Sequence, residues 1–134
     1  MKKNIVIAGF CILVFCAASV FIAATLQDGV MTKKEGVYIV NTTTLGKSVQ
    51  GFNGPTPLKI FIKNDKIQKV EALPNEETPG YFEMVKTGLL KKWDGMTAEK
   101  AAKAKVDAVS GATYSSVAVK ENVRLGVEYY QKHK

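Results

Sequence analysis

Histidine, arginine and cysteine are nearly missing from this chain of 134 residues, which has one, one and two of them. The single His133 is the penultimate residue, in a terminus expected to fray, so neither a histidine metal site nor a Ser/His/Asp triad has its base in a credible place. Both cysteines, Cys11 and Cys16, fall in the first 26 residues, and the rest of the chain has no thiol, no disulfide and no cysteine metal site. Redox chemistry, if present, must be borrowed from a cofactor. Arg124 is the only guanidinium, and bidentate reading of phosphate or guanine is arginine's speciality. The formal charge of +7 therefore reads as solubilising lysine, and no nucleic-acid partner is expected.

Charge is also absent between Lys3 and Asp28. From Ile5 to Leu26 the chain is almost unbroken apolar, long enough at about 1.5 Å per helical residue to cross a hydrocarbon layer of about 30 Å. Residues 1–27 form either a retained membrane anchor or a cleaved signal segment, since a basic start followed by an apolar core opens both. The run exceeds a usual signal core and Ala23-Ala24-Thr25 is a weak cleavage site, which favours the anchor. Phe15 before Cys16 and Phe10 before Cys11 are wrong for a lipoprotein signal. Lys2 and Lys3, with the shorter tail, are expected to stay inside, opposite Lys33 and Lys34.

Residues 28–134 are one small domain with seventeen basic and twelve acidic side chains. Gln27 to Glu35 reads as a polar tether, Gly36 to Thr42 as a β-branched and aromatic strand, and Gly51 to Pro57 as a shaped loop rich in Gly and Pro. Leu58, Ile60 and Ile62 share one face of a second strand, with Asn64-Asp65 as a tight hairpin turn. The strand from Lys66 carries Ile67, Val70 and Leu73 out of strict alternation, which predicts a twist or a bulge. Thr78-Pro79 starts a helix that presents Tyr81, Phe82, Val85 and Leu89, with Gly95 beyond its end. Thr97 caps a short helix through Ala104. Val119, Val123, Val127 and Tyr130 mark an amphipathic helix from about Ser115 to Gln131. The fold class expected is α+β, a small mainly antiparallel sheet packed with helices, after an N-terminal transmembrane or signal helix.

Directly before that last helix stands Asp107-Ala108-Val109-Ser110-Gly111-Ala112-Thr113-Tyr114-Ser115-Ser116. Gly111 and Ala112 let backbone approach a ligand, and four hydroxyls crowd a helix start, where unpaired amides and the positive dipole end favour an anion. Spacing alone leaves two readings open: a phosphate site, or a helix cap supplied by Thr113, Ser115 or Ser116.

Asp107-x-x-Ser110-Gly111-Ala112-Thr113 resembles the attachment motif of the FMN-binding domain family, whose members include components of the sodium-translocating NADH:quinone oxidoreductase and of Rnf-type complexes. Gly51-Phe52-x-Gly54-Pro55, the two strands after it, and Glu77-Thr78-Pro79-Gly80 resemble the family's upstream signatures in the same order. The resemblance implies that residues 28–134 are an FMN-binding domain whose Thr113 is esterified to FMN by a separate flavin transferase using FAD as donor. It makes Ser110, Gly111 and Ala112 the recognised loop, Asp107 part of the transferase signature, and Glu77, Thr78, Pro79 and Gly80 lining of the flavin pocket. Tyr114, Tyr81, Phe82 and Trp93 are candidates to pack on the isoalloxazine ring. No histidine or cysteine stands near Thr113 in sequence to activate its hydroxyl, in keeping with an external transferase. The function implied is a membrane-tethered, extracytoplasmic electron carrier with membrane or tethered redox partners, secreted if the N-terminal segment is cleaved. It is more a carrier than an enzyme, a flavin reductase being the catalytic variant. The alternative is a non-redox module that binds a phosphate-bearing ligand or partner.

Overall fold

Alternation of apolar side chains in Leu58–Lys63 and β-branching in Val37–Asn41 set the centre of the structure, a four-stranded antiparallel sheet in the order β1-β2-β3-β4. The strands are β1 (Met31–Lys34), β2 (Val37–Asn41), β3 (Leu58–Lys63) and β4 (Lys66–Ala72). They are followed by α1 (Pro79–Gly88), a 3-10 turn (Leu90–Trp93), α2 (Ala98–Lys103) and α3 (Thr113–His133). This computed structural model describes residues 29–134; the expected membrane or signal segment, with Cys11 and Cys16, lies outside the described residues. Among the described residues no helix is long and apolar enough to cross a membrane.

The α+β expectation holds, with local corrections. The stretch read as a tether contains β1, whose Met31 to Lys34 pair with Val40 to Val37. Its lysines point to solvent from a short sheet edge, so it lacks the apolar alternation that marks an inner strand. Glu35 and Gly36, both at positive φ, turn the chain into β2. Asn64 and Asp65 do the same between β3 and β4 with φ of 51° and 64°, the left-handed pair that a two-residue hairpin needs. The expected bulge is at Gln68, where Phe61 faces Lys69 but Ile62 faces Ile67. It brings Ile67 and Val70 to the same buried face.

Val40, Leu58, Ile60, Ile62 and Ile67 lie beneath the α3 stripe of Val119, Val123, Val127 and Tyr130, all buried. Each such aliphatic side chain stabilises the fold by roughly 1.5–3 kcal/mol on full burial. Gly126 lets α3 lie close on the sheet, since a β-carbon there would stand 2.6 Å from Ile60 Cδ1 and 3.0 Å from Thr42 Cγ2. Asn122 is fully buried and satisfied: its Oδ1 accepts from the Thr42 hydroxyl at 2.8 Å, and its Nδ2 donates to the Ala118 carbonyl at 2.9 Å.

The sheet has two distinct ends. Met31, Asn41, Leu58 and Ala72 lie at the end where the chain enters, and the Glu35–Gly36 and Asn64–Asp65 turns lie at the other. Helix α3 runs from the entry end, where Asn122 meets Thr42, to the turn end, where the Tyr130 hydroxyl donates to Asp65 Oδ1 at 2.7 Å. That helix begins two residues earlier than its apolar stripe predicts and continues to His133, whose ring stacks on Tyr129 at 3.9 Å; the terminus is helical and not frayed.

Candidate functional site

After β4 the chain turns through Asn75, whose side-chain oxygen accepts from the Glu77 amide at 3.0 Å while its Nδ2 donates to the Leu73 carbonyl at 3.1 Å. This turn delivers Glu77 inward, to 6% exposure. Its Oε1 accepts from the amides of Asn53 at 2.8 Å and Gly54 at 3.1 Å, and its Oε2 from the Phe52 amide at 3.0 Å. The Ser115 hydroxyl donates to the same Oε2. Burial pushes the Glu77 carboxyl up, but the Ser115 hydroxyl and the three amides outweigh it and hold it below the usual carboxylate range. Gly51 is needed beside it, since a β-carbon there would stand 2.9 Å from Oε1.

Helix α3 starts without a side-chain cap. Ala112 is the N-cap residue, Gly111 precedes it at a φ of +85°, and the Ala112 amide closes a turn onto the Val109 carbonyl at 3.0 Å. The two serine hydroxyls that could have capped the helix are used elsewhere. Ser115 holds Glu77, and Ser116 accepts from the Val109 amide at 3.1 Å. Thr113 is exposed and its hydroxyl has no hydrogen-bond partner among the described residues. The capping reading of this loop is thus corrected: tertiary partners took the serines, and the first-turn amides remain uncapped.

Between these parts lies a cleft of about 370 Å³, lined by Phe52, Glu77, Thr78, Tyr81 and residues 111–115. Phe52 and Tyr114 pack against each other at its edge, their ring centroids 6.2 Å apart and inclined at 45°. Both rings are about 70% exposed, an uncommon state for large apolar side chains.

Gly111, Ala112, Thr113, Tyr114, Glu77 and Thr78 therefore converge on one cleft. Ser110 and Asp107 are exposed on the segment leading to it, and Pro79 and Gly80 are exposed in the first turn of α1, outside the lining. Of the candidate ring-packing residues, Tyr114 and Tyr81 line the cleft, whereas Phe82 and Trp93 are buried in the core and are corrected to structural roles. Thr78 starts α1 without capping it; its hydroxyl accepts from Asn53 Nδ2 at 3.2 Å and ties the helix to the Gly51–Gly54 loop. Phe52 is the wall that sequence reasoning missed. A large aromatic among the turn formers Gly51, Asn53 and Gly54, where no strand or helix period requires one, was the signal that could have found it. Among the described residues no group of three or more His, Cys, Asp or Glu is placed to hold a metal ion.

A family model described as the FMN-binding domain matches residues 51–128. A comparison with curated proteins returns no match. The matched span covers more than half of the chain and contains the Phe52 loop, Glu77 and the uncapped start of α3. The chain belongs to the FMN-binding domain family, and its role is to bind flavin.

Proposed function

We propose that this protein is a membrane-tethered electron carrier on the extracytoplasmic side of the cell membrane, with FMN in the aromatic cleft and linked through a phosphoester to Thr113. The observation that carries this reading is the free Thr113 hydroxyl. Of the three aliphatic hydroxyls in the first turn of α3, it is the one that neither Glu77 nor a backbone amide engages.

The residues present fit the cofactor. A flat heteroaromatic ring suits a cleft walled by Phe52, Tyr81 and Tyr114, and a volume of about 370 Å³ suits a ligand of this kind. A phosphodiester on Thr113 would meet uncapped helix amides, worth about 0.3–1 kcal/mol of charge–dipole stabilisation at an exposed site. When bound, FMN supplies the redox chemistry, and the protein supplies position and electrostatics. Phe52, Tyr81 and Tyr114 would shield the faces of a bound ring from water. Glu77 keeps the Phe52 wall in place by gripping its backbone from below.

Attachment would form a bond from Thr113 Oγ1 to the FMN phosphorus and break the pyrophosphate bond of FAD, with AMP as the leaving group and the hydroxyl proton passing to a base. Among the described residues no ionisable group is hydrogen-bonded to Thr113, so that base belongs to a flavin transferase. The exposed Asp107 and Ser110 suit the segment such an enzyme would read. A covalent link also suits a carrier held outside the cytoplasm, since retention no longer depends on free FMN.

Intact-protein and peptide mass spectrometry, on chain expressed with and without a flavin transferase, tests the reading. A mass gain of one FMN less one water, mapped to Thr113 and absent from Thr113→Ala, is expected. No adduct with an active transferase overturns the covalent-carrier reading in favour of a non-covalent ligand module.

A further inference from the structure

The entry end of the sheet gathers three separate features. The chain comes in there, with the Asn41 amide donating to the Val30 carbonyl at 2.8 Å just before β1. The cleft opens there, because the Gly51–Gly54 loop precedes β3, Glu77 follows β4, and both meet the first turn of α3. The exposed large hydrophobic side chains among the described residues collect there too: Phe52, Tyr81, Met84, Tyr114 and Val117, exposed by 42% to 70%. Phe52, Tyr81 and Tyr114 line the cleft. The Met84 methyl approaches within 3.9 Å of a β-carbon position at Gly111, and Val117 lies one helical turn from Thr113 on the same face. The turn end is polar by contrast, with Lys63, Asn64, Asp65, Lys66 and Lys134 all exposed.

Chain length ties this end to the membrane. Gln27, Asp28, Gly29 and Val30 alone separate Leu26, the last residue of the apolar run, from Met31. Four residues span at most about 14 Å when extended, and the headgroup layer on one side of a bilayer is roughly 5–7 Å thick. The tether sets the distance but leaves the domain free to pivot. Aromatic and aliphatic side chains gain by entering the headgroup and upper acyl region, and a ring of them fixes which face turns down.

We propose that the entry end rests on the lipid bilayer holding the N-terminal run, with Phe52, Tyr81, Met84, Tyr114 and Val117 seated in the headgroup layer. The cleft then opens toward the membrane plane, and flavin in it exchanges electrons with membrane-resident partners in preference to soluble ones. The docking rests on reading residues 1–27 as a retained anchor and does not require FMN in the cleft; the electron exchange rests on the function proposed above.

The test uses the full chain with Cys11 and Cys16 replaced by serine, reconstituted in phosphatidylcholine/phosphatidylglycerol vesicles that carry a lipid-borne quencher at headgroup depth. A fluorophore is placed at Val117→Cys, at Met84→Cys as a second rim position, or at Lys63→Cys on the turn end. Quenching several-fold stronger at both rim positions than at Lys63→Cys is expected, with a blue shift of the rim emission. Vesicle flotation checks the anchor separately. A chain that floats yet shows equal quenching at rim and turn end overturns the docking proposal while leaving the anchor intact. A chain that does not float overturns both.

Discussion

The Ser115 hydroxyl donates to Glu77 Oε2 across 38 residues of sequence, and this one bond joins the start of α3 to the loop that carries Phe52. The same carboxylate takes the amides of Phe52, Asn53 and Gly54, so three segments that form the cleft share one buried anion.

Removing that anion leaves the loop amides without acceptors. Glu77→Ala is expected to destabilise the domain by roughly 1–3 kcal/mol, and Ser115→Ala by about 0.5–1.5 kcal/mol. The folded-state pKa of Glu77 lies below its ordinary value of 4.5, so its contribution is complete above that value and lost as pH falls through the folded value. Denaturant unfolding from neutral pH into acid should show a shallower loss of stability for Glu77→Gln than for the parent. An identical acid profile would remove Glu77 from the account.

Two glycines in helices make opposite predictions. Gly126→Ala gains about 1 kcal/mol of helix propensity but drives a β-carbon against Ile60, which stands 2.6 Å away. Overpacking costs about 1–3 kcal/mol, so a net loss is expected. Gly80→Ala meets nothing within 4 Å and should be neutral or stabilising by up to about 1 kcal/mol. Thermal unfolding of both variants decides it; equal shifts would mean that α3 does not rest on the sheet at this distance.

Flavin loaded into the cleft should report its walls. Phenol rings packed against isoalloxazine quench its emission by giving an electron to the excited ring, so Tyr81→Ala and Tyr114→Ala are each expected to raise flavin fluorescence while the mass adduct on Thr113 is retained. Phe82→Ala, in the core, should lower stability and leave the emission of the folded fraction unchanged. If Tyr81→Ala and Tyr114→Ala leave the emission as it was, the ring does not pack on these side chains.

Local periodicity makes much of this fold readable in the sequence. The α3 stripe, the β3 face and the Asn64-Asp65 turn each follow from a few adjacent residues whose chemistry admits one backbone arrangement. Strand β1 escaped because two of its four side chains face water, and its pairing partner supplies what its own composition does not. The start of α3 was displaced because Ser115 and Ser116 look like caps, while their partners, Glu77 and the Val109 amide, lie elsewhere in the chain. Phe52 and Tyr114 meet only after the whole chain has folded, so no local signal could join them. Thr113 was singled out by its family motif, and in the structure its hydroxyl has no hydrogen-bond partner among the described residues.

Strand β1 has a mechanical consequence. The chain reaches it from the end at which Met31 faces Val40, and the strand runs antiparallel to β2 from there. Tension arriving through residue 29 therefore pulls along the strand axis, at right angles to its ladder bonds. Those bonds bear the load together in shear instead of opening one after another. A strand of four residues thus grips well under the direction of pull that a membrane-held N-terminus would impose, and weakly if peeled from Lys34.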